Sequence, residues 1–308
     1  MYEETPMFAR LIVLAALVAA PAAFAASPIN QTRPLAADGQ VSIDNVKGRV
    51  TVRTWDRPEV RITGSLGAGV EKLAIEGDAS DLRIEVRYPK NSGGWFGWGG
   101  GDGDSEPTML EISVPAKASV SVDAVSADVD VAGTGGRRLA LASVSGDVLV
   151  RGARADDASF ESVSGDVDAE VDSTNVSAET VSGDLSLKGR IGGRVSLDTV
   201  SGDATLIAGP VERLNLSTVS GDGHLSAGLA ASGSITADSV SGNVDLVLPR
   251  DTSARLQIDT FSGGISSPVG EVQTEEYGPG KSLKARLGAG SGSIRLESFS
   301  GNVRVTVK

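Results

Sequence analysis

The stretch Val200-Ser201-Gly202-Asp203 decides the fold, because the same four residues recur along the middle of the chain. The full copies carry glycines at Gly146, Gly165, Gly183, Gly202 and Gly221, and variants continue at Gly242, Gly263 and Gly301. The full copies are spaced by 19, 18, 19 and 19 residues, and the last gap of 38 residues is interpreted as two steps. A fixed period of this length indicates a unit that cannot bury its apolar face alone and stacks on copies of itself.

Apolar residues alternate with polar ones on both sides of each motif glycine. Before Gly202 they are Val195 and Leu197, and after it they are Ala204 and Leu206. Alternation at period two predicts two short strands per repeat, each with one face inward. The sequence therefore predicts an all-β parallel β-solenoid, resembling a β-helix, with about 19 residues per coil and coils about 4.8 Å apart. Parallel crossovers are right-handed as a rule, so we expect that hand.

The regularity of the repeat suggests boundaries along the chain. Residues 119–308 are predicted to form the regular solenoid, and residues 26–118 an N-terminal region of irregular β coils or a cap. Two segments rich in turn-forming residues interrupt the stack, a Gly- and Trp-rich loop at 91–107 and an insertion at 267–281.

Each residue of the motif has an expected place. We expect the valine to enter the core, the glycine to permit a tight corner and the aspartate to face outward. Three residues before each glycine stands a Ser or Thr, such as Thr199 before Gly202. By parity this side chain points inward, where its hydroxyl can bond backbone groups that the turn leaves unpaired.

The aspartates that follow the motif glycine form what we call the first acidic column. Its members are Asp128, Asp147, Asp166, Asp184, Asp203 and Asp222. Charges spaced by ~4.8 Å in water repel by about 0.9 kcal/mol per pair, so the column requires compensation. Turn chemistry is the preferred interpretation, because Asp accepts nearby backbone N–H bonds. The alternative is an edge that binds cations such as Ca²⁺.

A second acidic column stands four residues before the glycine and is predicted to face outward. Its members are Asp123, Glu161, Glu179, Asp198, Asp238, Asp259 and Glu297. Carboxylates on adjacent coils approach the separation of a retaining glycosidase, but an active site should break the repeat, whereas these residues belong to it. His224 is the one histidine, which argues against a hydrolytic triad. We therefore expect no enzymatic activity, catalytic residue, cofactor or bound metal, and keep a carbohydrate-active or Ca²⁺-binding β-helix as the alternative.

Composition and the N-terminus point to export. Arg10 precedes the apolar run at 11–20, and Ala23-Phe24-Ala25 forms a small-x-small cleavage site, so residues 1–25 are predicted to be a signal peptide. No other apolar run approaches the length of a membrane span, so we expect no transmembrane segment after its removal and a periplasmic, cell-surface or secreted location. The chain has no cysteine, and its net charge of −12 argues against nucleic-acid binding.

Three aromatic residues in the loop at 91–107 are candidate contacts for a partner. Trp95, Phe96 and Trp98 lie among glycines, and exposed aromatics in such loops often mark interaction sites. The competing interpretation is that these side chains fold back and cover one end of the core.

Three features of the sequence carry a resemblance to a known family: the repeated Val-Ser-Gly-Asp units, the stretch Gly48-Arg49-Val50-Thr51-Val52 with Trp55-Asp56 after it, and Val114-Pro115. In these features the chain resembles the bacterial putative-adhesin family of β-strand-repeat domains of unknown function. The resemblance covers nearly all of the chain after the signal peptide. It implies an exported or envelope-associated β-solenoid, loosely called an adhesin, with some relatives tied to cell-envelope stress responses, and it supplies no catalytic residues.

The functional expectation is a non-enzymatic envelope protein whose long parallel faces form a scaffold or an adhesin-like interaction surface. The expected partner is an envelope protein or a polysaccharide. A further hypothesis is end-to-end self-association, because the final strand at Val303–Lys308 is expected to leave an unpaired edge, which Arg304 and Lys308 would discourage from pairing.

Overall fold

The computed structural model describes residues 27–89 and 105–308. These residues contain 21 strands and no helix, so the predicted all-β class is confirmed. In chain order the strands are β1 (Ser27–Pro34), β2 (Gln40–Trp55), β3 (Glu59–Leu66), β4 (Lys72–Gly77), β5 (Asp81–Arg87), β6 (Thr108–Pro115), β7 (Ser119–Ala132), β8 (Arg138–Ser143), β9 (Val148–Ser162), β10 (Val167–Thr180), β11 (Leu185–Lys188), β12 (Ile191–Thr199), β13 (Ala204–Thr218), β14 (Gly223–Ser239), β15 (Val244–Leu248), β16 (Ala254–Thr260), β17 (Ile265–Ser266), β18 (Gln273–Thr274), β19 (Lys281–Leu287), β20 (Gly292–Ser298) and β21 (Val303–Val307).

Each motif corner joins an arm in one row of strands to an arm in a second row. The first row runs β5, β2, β7, β8, β9, β10, β12, β13, β14, β20, β16, and every neighbouring pair in it is parallel. The second row runs β6, β2, β7, β9, β10, β11, β13, β14, β15, β21, β17, again with parallel neighbours. Six long strands bend and serve both rows. We call one pair of arms with its corner a rung.

Equivalent residues of neighbouring repeats lie directly opposite each other. Val195 pairs with Leu214 and Leu197 pairs with Leu216, which is an offset of one repeat. The inward residues that the alternation predicts, including Leu197, Ala204 and Leu206, are fully buried. The core therefore consists of columns of aliphatic side chains between the two rows, because each rung presents the same side chains at the same height.

Antiparallel strands cover both ends of the rows. At the N-terminal end β4 pairs with β5, while β3 pairs with β6 and β1 pairs with β3. At the other end β19 pairs with β16, and the two-residue β18 pairs with β19. Strand β18 lies within the insertion predicted at 267–281, and β19 begins at its last residue. Buried Leu283 and Leu287 of β19 extend the core beyond β16.

The order of the last rungs differs from the expected one. The C-terminal rung, with its corner at Gly301, lies between the rungs of Gly242 and Gly263, because β20 pairs with β14 on one side and with β16 on the other. The interpretation of the 38-residue gap as two further steps along the stack is therefore wrong. The rung of Gly263 is formed first and lies at the end of the stack. The chain then reverses direction through β19, and its final rung, that of Gly301, lies between the rungs of Gly242 and Gly263.

This order also corrects the expectation that Val303–Lys308 leaves an unpaired edge. All five residues of β21 pair with β15, and Val303 and Arg304 also pair with Ile265 and Ser266 of β17. Self-association through this strand stays a prediction, and one edge of β21 is already paired with β15.

Several predicted features lie outside the described residues. They are the signal peptide at 1–25 and the aromatic residues Trp95, Phe96 and Trp98. Within residues 27–89 and 105–308, no helix has the length and apolarity needed to cross a membrane.

Candidate interaction groove

The hydroxyl column inside the corners has the predicted structural role. Thr199 Oγ1 donates to the carbonyl oxygen of Gly202 at 2.9 Å and accepts the Gly202 N–H at 3.2 Å. Thr218 bonds both backbone groups of Gly221 in the same way, at 2.9 and 3.1 Å. These hydroxyl groups are buried, so each corner satisfies its polar groups internally and holds a single shape.

The motif glycine is required by close stacking. A Cβ atom built on Gly202 would lie 1.9 Å from the carbonyl oxygen of Gly183 in the neighbouring rung. Gly202 is not among the glycines with a positive φ, so the expected tight turn does not depend on a left-handed conformation. Rungs approach this closely only where the corner residue has no side chain.

The expectation that the motif valine enters the core is wrong. The residues two before each glycine form an exposed apolar column, whose members in spatial order are Val125, Val144, Val163, Val181, Val200, Val219, Val240, Phe299 and Phe261. The valines are 42–47% exposed and the two phenylalanines 50% and 57%. The reason is parity: the hydroxyl residue three before the glycine points inward, so its neighbour points outward.

The aromatic end of the apolar column is ordered. The rings of Phe261 and Phe299 stack with centroids 4.8 Å apart and planes inclined by 6°. Their rungs are neighbours only because the C-terminal rung is inserted beneath that of Gly263. Two rungs that are distant in sequence thus form one flat aromatic surface.

The first acidic column faces outward, as predicted, and its carboxylates bond to the adjacent rung. Asp184 Oδ1 accepts the backbone N–H of Asp203 at 2.9 Å, and Asp203 Oδ1 accepts that of Asp222 at 2.8 Å. The chain of bonds continues through Asn243 and Asn302 to the N–H of Gly264, which has no side chain to extend it. The bonds between rungs compensate the repulsion of stacked charges.

The cation-binding edge that was proposed for this column gains no support from the geometry. At its first member, Asp128 pairs with Arg49 at 2.8 Å. Within the part of the chain that the structure describes, no three acidic or histidine side chains are grouped so that they could hold a metal ion.

The second acidic column and the apolar column from Val144 to Phe261 together line one groove, which we call the corner groove. It has a volume of about 1350 Å³ and runs along the stack from the rung of Asp123 to that of Phe261. Carboxylates form one side and the exposed apolar residues the other, and the floor contains the inward hydroxyl residues, such as Thr199. Glu275, Lys281 and Ser282, from the segment around β18 and β19, also line the groove.

The corner groove carries an excess of negative charge. Eight acidic residues line it, against two basic residues, Lys281 and Arg295. Arg295 already pairs with Glu297, and Lys281 Nζ donates to the carbonyl oxygen of Gly263 at 3.1 Å. Partial burial and the charge of Glu297 raise the pKa of Asp238 above its usual value, although Arg295 acts in the opposite direction. The groove therefore holds carboxylates that favour an additional positive charge.

Several arginines outside the corner groove form ion pairs with aspartates of adjacent rungs. Asp172 lies 3.6 Å from the guanidinium of Arg154 and bonds to Arg190, whose hydrogen bonds lower the pKa of Asp172 to about 2. Hydrogen bonds from Arg53 and Arg151 likewise lower the pKa of Asp130 to about 2, Arg53 having the larger effect. These ion pairs join neighbouring rungs and reduce the positive charge that these arginines present.

Sequence reasoning identified the second acidic column and missed the apolar one. The alternation of side chains along the strand could have revealed the apolar column, because an inward Thr199 requires its neighbour Val200 to point outward. The existence of the groove was also missed, since it requires the two columns to stand side by side along many rungs.

Comparison with known proteins agrees with the repeat architecture. The family model described as Toastrack DUF4097 matches residues 39–306. No curated protein matches the chain. A solved structure named as a putative lipid binding protein of Parabacteroides distasonis has 14% sequence identity and a TM-score of 0.53, covering 91% of this chain and 96% of that one.

Two further solved structures are named as putative adhesins. One, from Parabacteroides merdae, has 12% identity and a TM-score of 0.49 and covers 91% of this chain and 96% of its own. The other, from Parabacteroides distasonis, has 16% identity and a TM-score of 0.46 and covers 91% of this chain and 97% of its own. At such identities the likeness of the lipid binding protein shows the fold alone.

Proposed function

The chain belongs to the Toastrack DUF4097 family, and we propose that it is a non-enzymatic, exported envelope protein whose corner groove is an adhesin-like interaction surface. We further propose that its stacked rungs form a right-handed β-solenoid that acts as a rigid scaffold for this surface. The aromatic residues Trp95, Phe96 and Trp98 are a second proposed partner contact.

One observation supports this proposal above the others. The repeat holds nine large apolar side chains in solvent, one per rung, although a polar residue at the same position would leave the core unchanged. A continuous exposed apolar surface is unusual for a monomeric protein and commonly marks a binding site. The backbone that carries these side chains is held by the hydrogen-bonded corners, so little backbone entropy is lost on binding.

The alternative of a carbohydrate-active or cation-binding edge has weaker support. In the first acidic column each bonded carboxylate already accepts a hydrogen bond from a backbone N–H of the next rung, as Asp184 does from Asp203. Such groups are positioned to hold the stack rather than to transfer a proton or coordinate an ion.

The proposal can be tested by measuring how labelled mature protein binds to isolated cell envelopes. The variant Val163→Ser/Val181→Ser/Val200→Ser removes three adjacent apolar side chains from the groove. As a control, Asp168→Asn/Glu170→Gln/Glu212→Gln changes three exposed residues outside it. We expect the first variant to lose most of the saturable binding and the control to keep it. Equal binding by both variants would refute the groove as the interaction surface.

Two parallel assays address the other parts of the proposal. Incubation with a panel of glycans should release no new reducing ends or unsaturated products. Fractionation of expressing cells should place the processed protein outside the cytoplasm. Product release that depends on residues of either acidic column, or retention of an unprocessed chain in the cytoplasm, would contradict it.

A further inference from the structure

We propose that the corner groove binds an extended, cationic polypeptide segment that lies along the stack and places apolar side chains against the apolar column. This inference rests on the proposed function of the groove and adds the chemical class of its partner.

The dimensions of the groove favour a linear ligand. The residues that line the groove come from nine successive rungs, from that of Asp123 to that of Phe261. Eight steps of about 4.8 Å give a length of about 38 Å. An extended polypeptide of about 12 residues has this length, at about 3.3 Å per residue.

The charges of the groove favour a cationic ligand. Its eight acidic residues exceed its basic residues by six, and both basic side chains already have partners. An anionic lipid headgroup or an acidic polymer would meet an excess of carboxylates along the groove. Lys and Arg carry their charge on long flexible stems, so they can reach carboxylates whose spacing differs from that of the side chains of an extended peptide.

The apolar column adds a requirement that a simple polyamine does not meet. Side chains such as Val163, Val181 and Val200 stand beside the carboxylates of Glu161, Glu179 and Asp198. A ligand that satisfies both must present positive and apolar groups along the same line. Alternating side chains of an extended polypeptide do so, since neighbouring residues point to opposite sides of its backbone.

The N–H groups of the corner backbone are already hydrogen-bonded between rungs, so a ligand must be recognised by the side chains of the groove. The N–H of Val200 donates to the carbonyl oxygen of Thr180 at 3.2 Å, and that of Ser201 to Val181 at 2.9 Å. The same pair of bonds recurs at the corners of Val163, Val219 and Phe261. The ligand therefore cannot join as an additional strand here, and it crosses the rungs with its side chains in contact.

The stacked pair Phe261 and Phe299 provides one end of the groove with a distinct contact. Exposed aromatic faces and edges attract apolar groups, and a cation above a ring gains further stabilisation. With Glu275 and Glu297 nearby on the lining, this end is suited to an Arg or Lys side chain of the ligand.

The test uses a labelled 12-residue peptide of alternating Lys and Val, with fluorescence anisotropy as the readout on mature protein. Matched probes are a Glu-Val peptide, a Lys-Ser peptide and phosphatidylglycerol vesicles. We expect saturable binding of the Lys-Val peptide alone, weakened by at least tenfold between about 0.05 and 0.5 M salt because the charges are screened. Preferred binding of the Glu-Val peptide or of the vesicles would overturn the inference.

Variants locate the binding. Glu161→Gln/Glu179→Gln/Asp198→Asn and Val163→Ser/Val181→Ser/Val200→Ser should each raise the Kd about tenfold or more, since each removes three neighbouring contacts. The control Asp168→Asn/Glu170→Gln/Glu212→Gln removes the same charge outside the groove and should leave the Kd within twofold. Equal weakening in the control would show nonspecific attraction to an acidic protein and refute the inference. Unfolding in urea verifies that the variants are folded.

The two proposals fail in different ways. If the valine variant loses binding to cell envelopes and no Lys-Val peptide binds the wild type, the groove remains the interaction surface and the cationic polypeptide is the wrong ligand. If the valine variant binds envelopes as well as the wild type does, the proposed function itself is refuted.

Discussion

The two acidic columns have the same chemistry and different uses. In the first, Asp184 and its equivalents accept a backbone N–H from the next rung. In the second, the carboxylates have no such regular bond between rungs: Asp198 accepts from Ser196 and Asp259 from Gln257, each two residues away on its own strand. The first column therefore stabilises the stack, and the second is available to a ligand.

The difference follows from the direction of the backbone. Just after the glycine, the N–H of one rung points along the stack toward the side chain below, as Asp203 N–H does toward Asp184. Four residues before the glycine, regular strand pairing already uses the backbone, as the pairing of Asp198 with Ser217 shows. A repeated carboxylate therefore holds neighbouring rungs together where the strand ladder leaves a backbone N–H for it, and it lacks this structural role where regular strand pairing already uses the N–H.

The close stacking on which both columns depend should give the largest effect when it is disturbed. Gly202→Ala places a methyl group 1.9 Å from the Gly183 carbonyl oxygen, so the rungs must separate. We expect a loss of about 3 kcal/mol or more in the free energy of unfolding, measured in urea. Gly209→Ala is the control, since its nearest contact would be 3.7 Å away. Similar losses in both variants would contradict the role of close approach.

The buried hydroxyl between the two columns should have the next largest effect. Thr199→Val preserves the shape of the side chain and removes both hydrogen bonds with Gly202. Leaving such buried backbone groups without this partner costs about 1–3 kcal/mol. Thr199→Ser keeps the hydroxyl, as in the corners of Ser162 and Ser239, and should retain most of the stability. A valine variant as stable as the serine variant would show that the bonds are dispensable.

The comparison of the columns is tested directly by removing one carboxylate from each. Asp184→Ala loses the bond to the Asp203 N–H and should reduce the free energy of unfolding by about 1–2 kcal/mol. Asp184→Asn keeps an acceptor, as Asn243 and Asn302 do, and should be nearly neutral. Glu179→Ala in the second column should change stability by less than about 0.5 kcal/mol. Equal costs for Asp184→Ala and Glu179→Ala would remove the distinction.

Much of the architecture was predictable because it is local and repeated. The period, the alternation and the inward hydroxyl residues predict the parallel arms and the buried columns, including Leu197 and Leu206. The valine was placed wrongly because its apolar character was given more weight than its parity. The partners of the first acidic column were predicted as local turn groups, whereas the accepted N–H belongs to a residue 18 to 21 positions further along the chain.

The order of the last rungs could not be predicted from the repeat. Near-identical rungs offer near-identical surfaces, so the repeat alone does not determine whether Gly263 or Gly301 follows Gly242. The choice depends on β19, which reverses the chain beside β16 and buries Leu283. Its consequence reaches the candidate site, because Phe299 and Phe261 become neighbours at one end of the corner groove.

The smallest predicted effect concerns the charge of the second column. Because the folded-state pKa of Asp238 is raised, the folded protein binds more protons than the unfolded chain between the ordinary pKa of 3.8 and the raised value. Its ionisation therefore destabilises the fold as the pH rises through that window, and stability returns as the pH falls. Asp238→Asn should increase the free energy of unfolding at pH 7 by a few tenths of a kcal/mol, since solvent screens the group, and the gain should vanish near pH 3.5. A loss of stability at pH 7 would mean that this carboxylate supports the stack as the first column does, and that the groove is less free for a cationic ligand than its charges indicate.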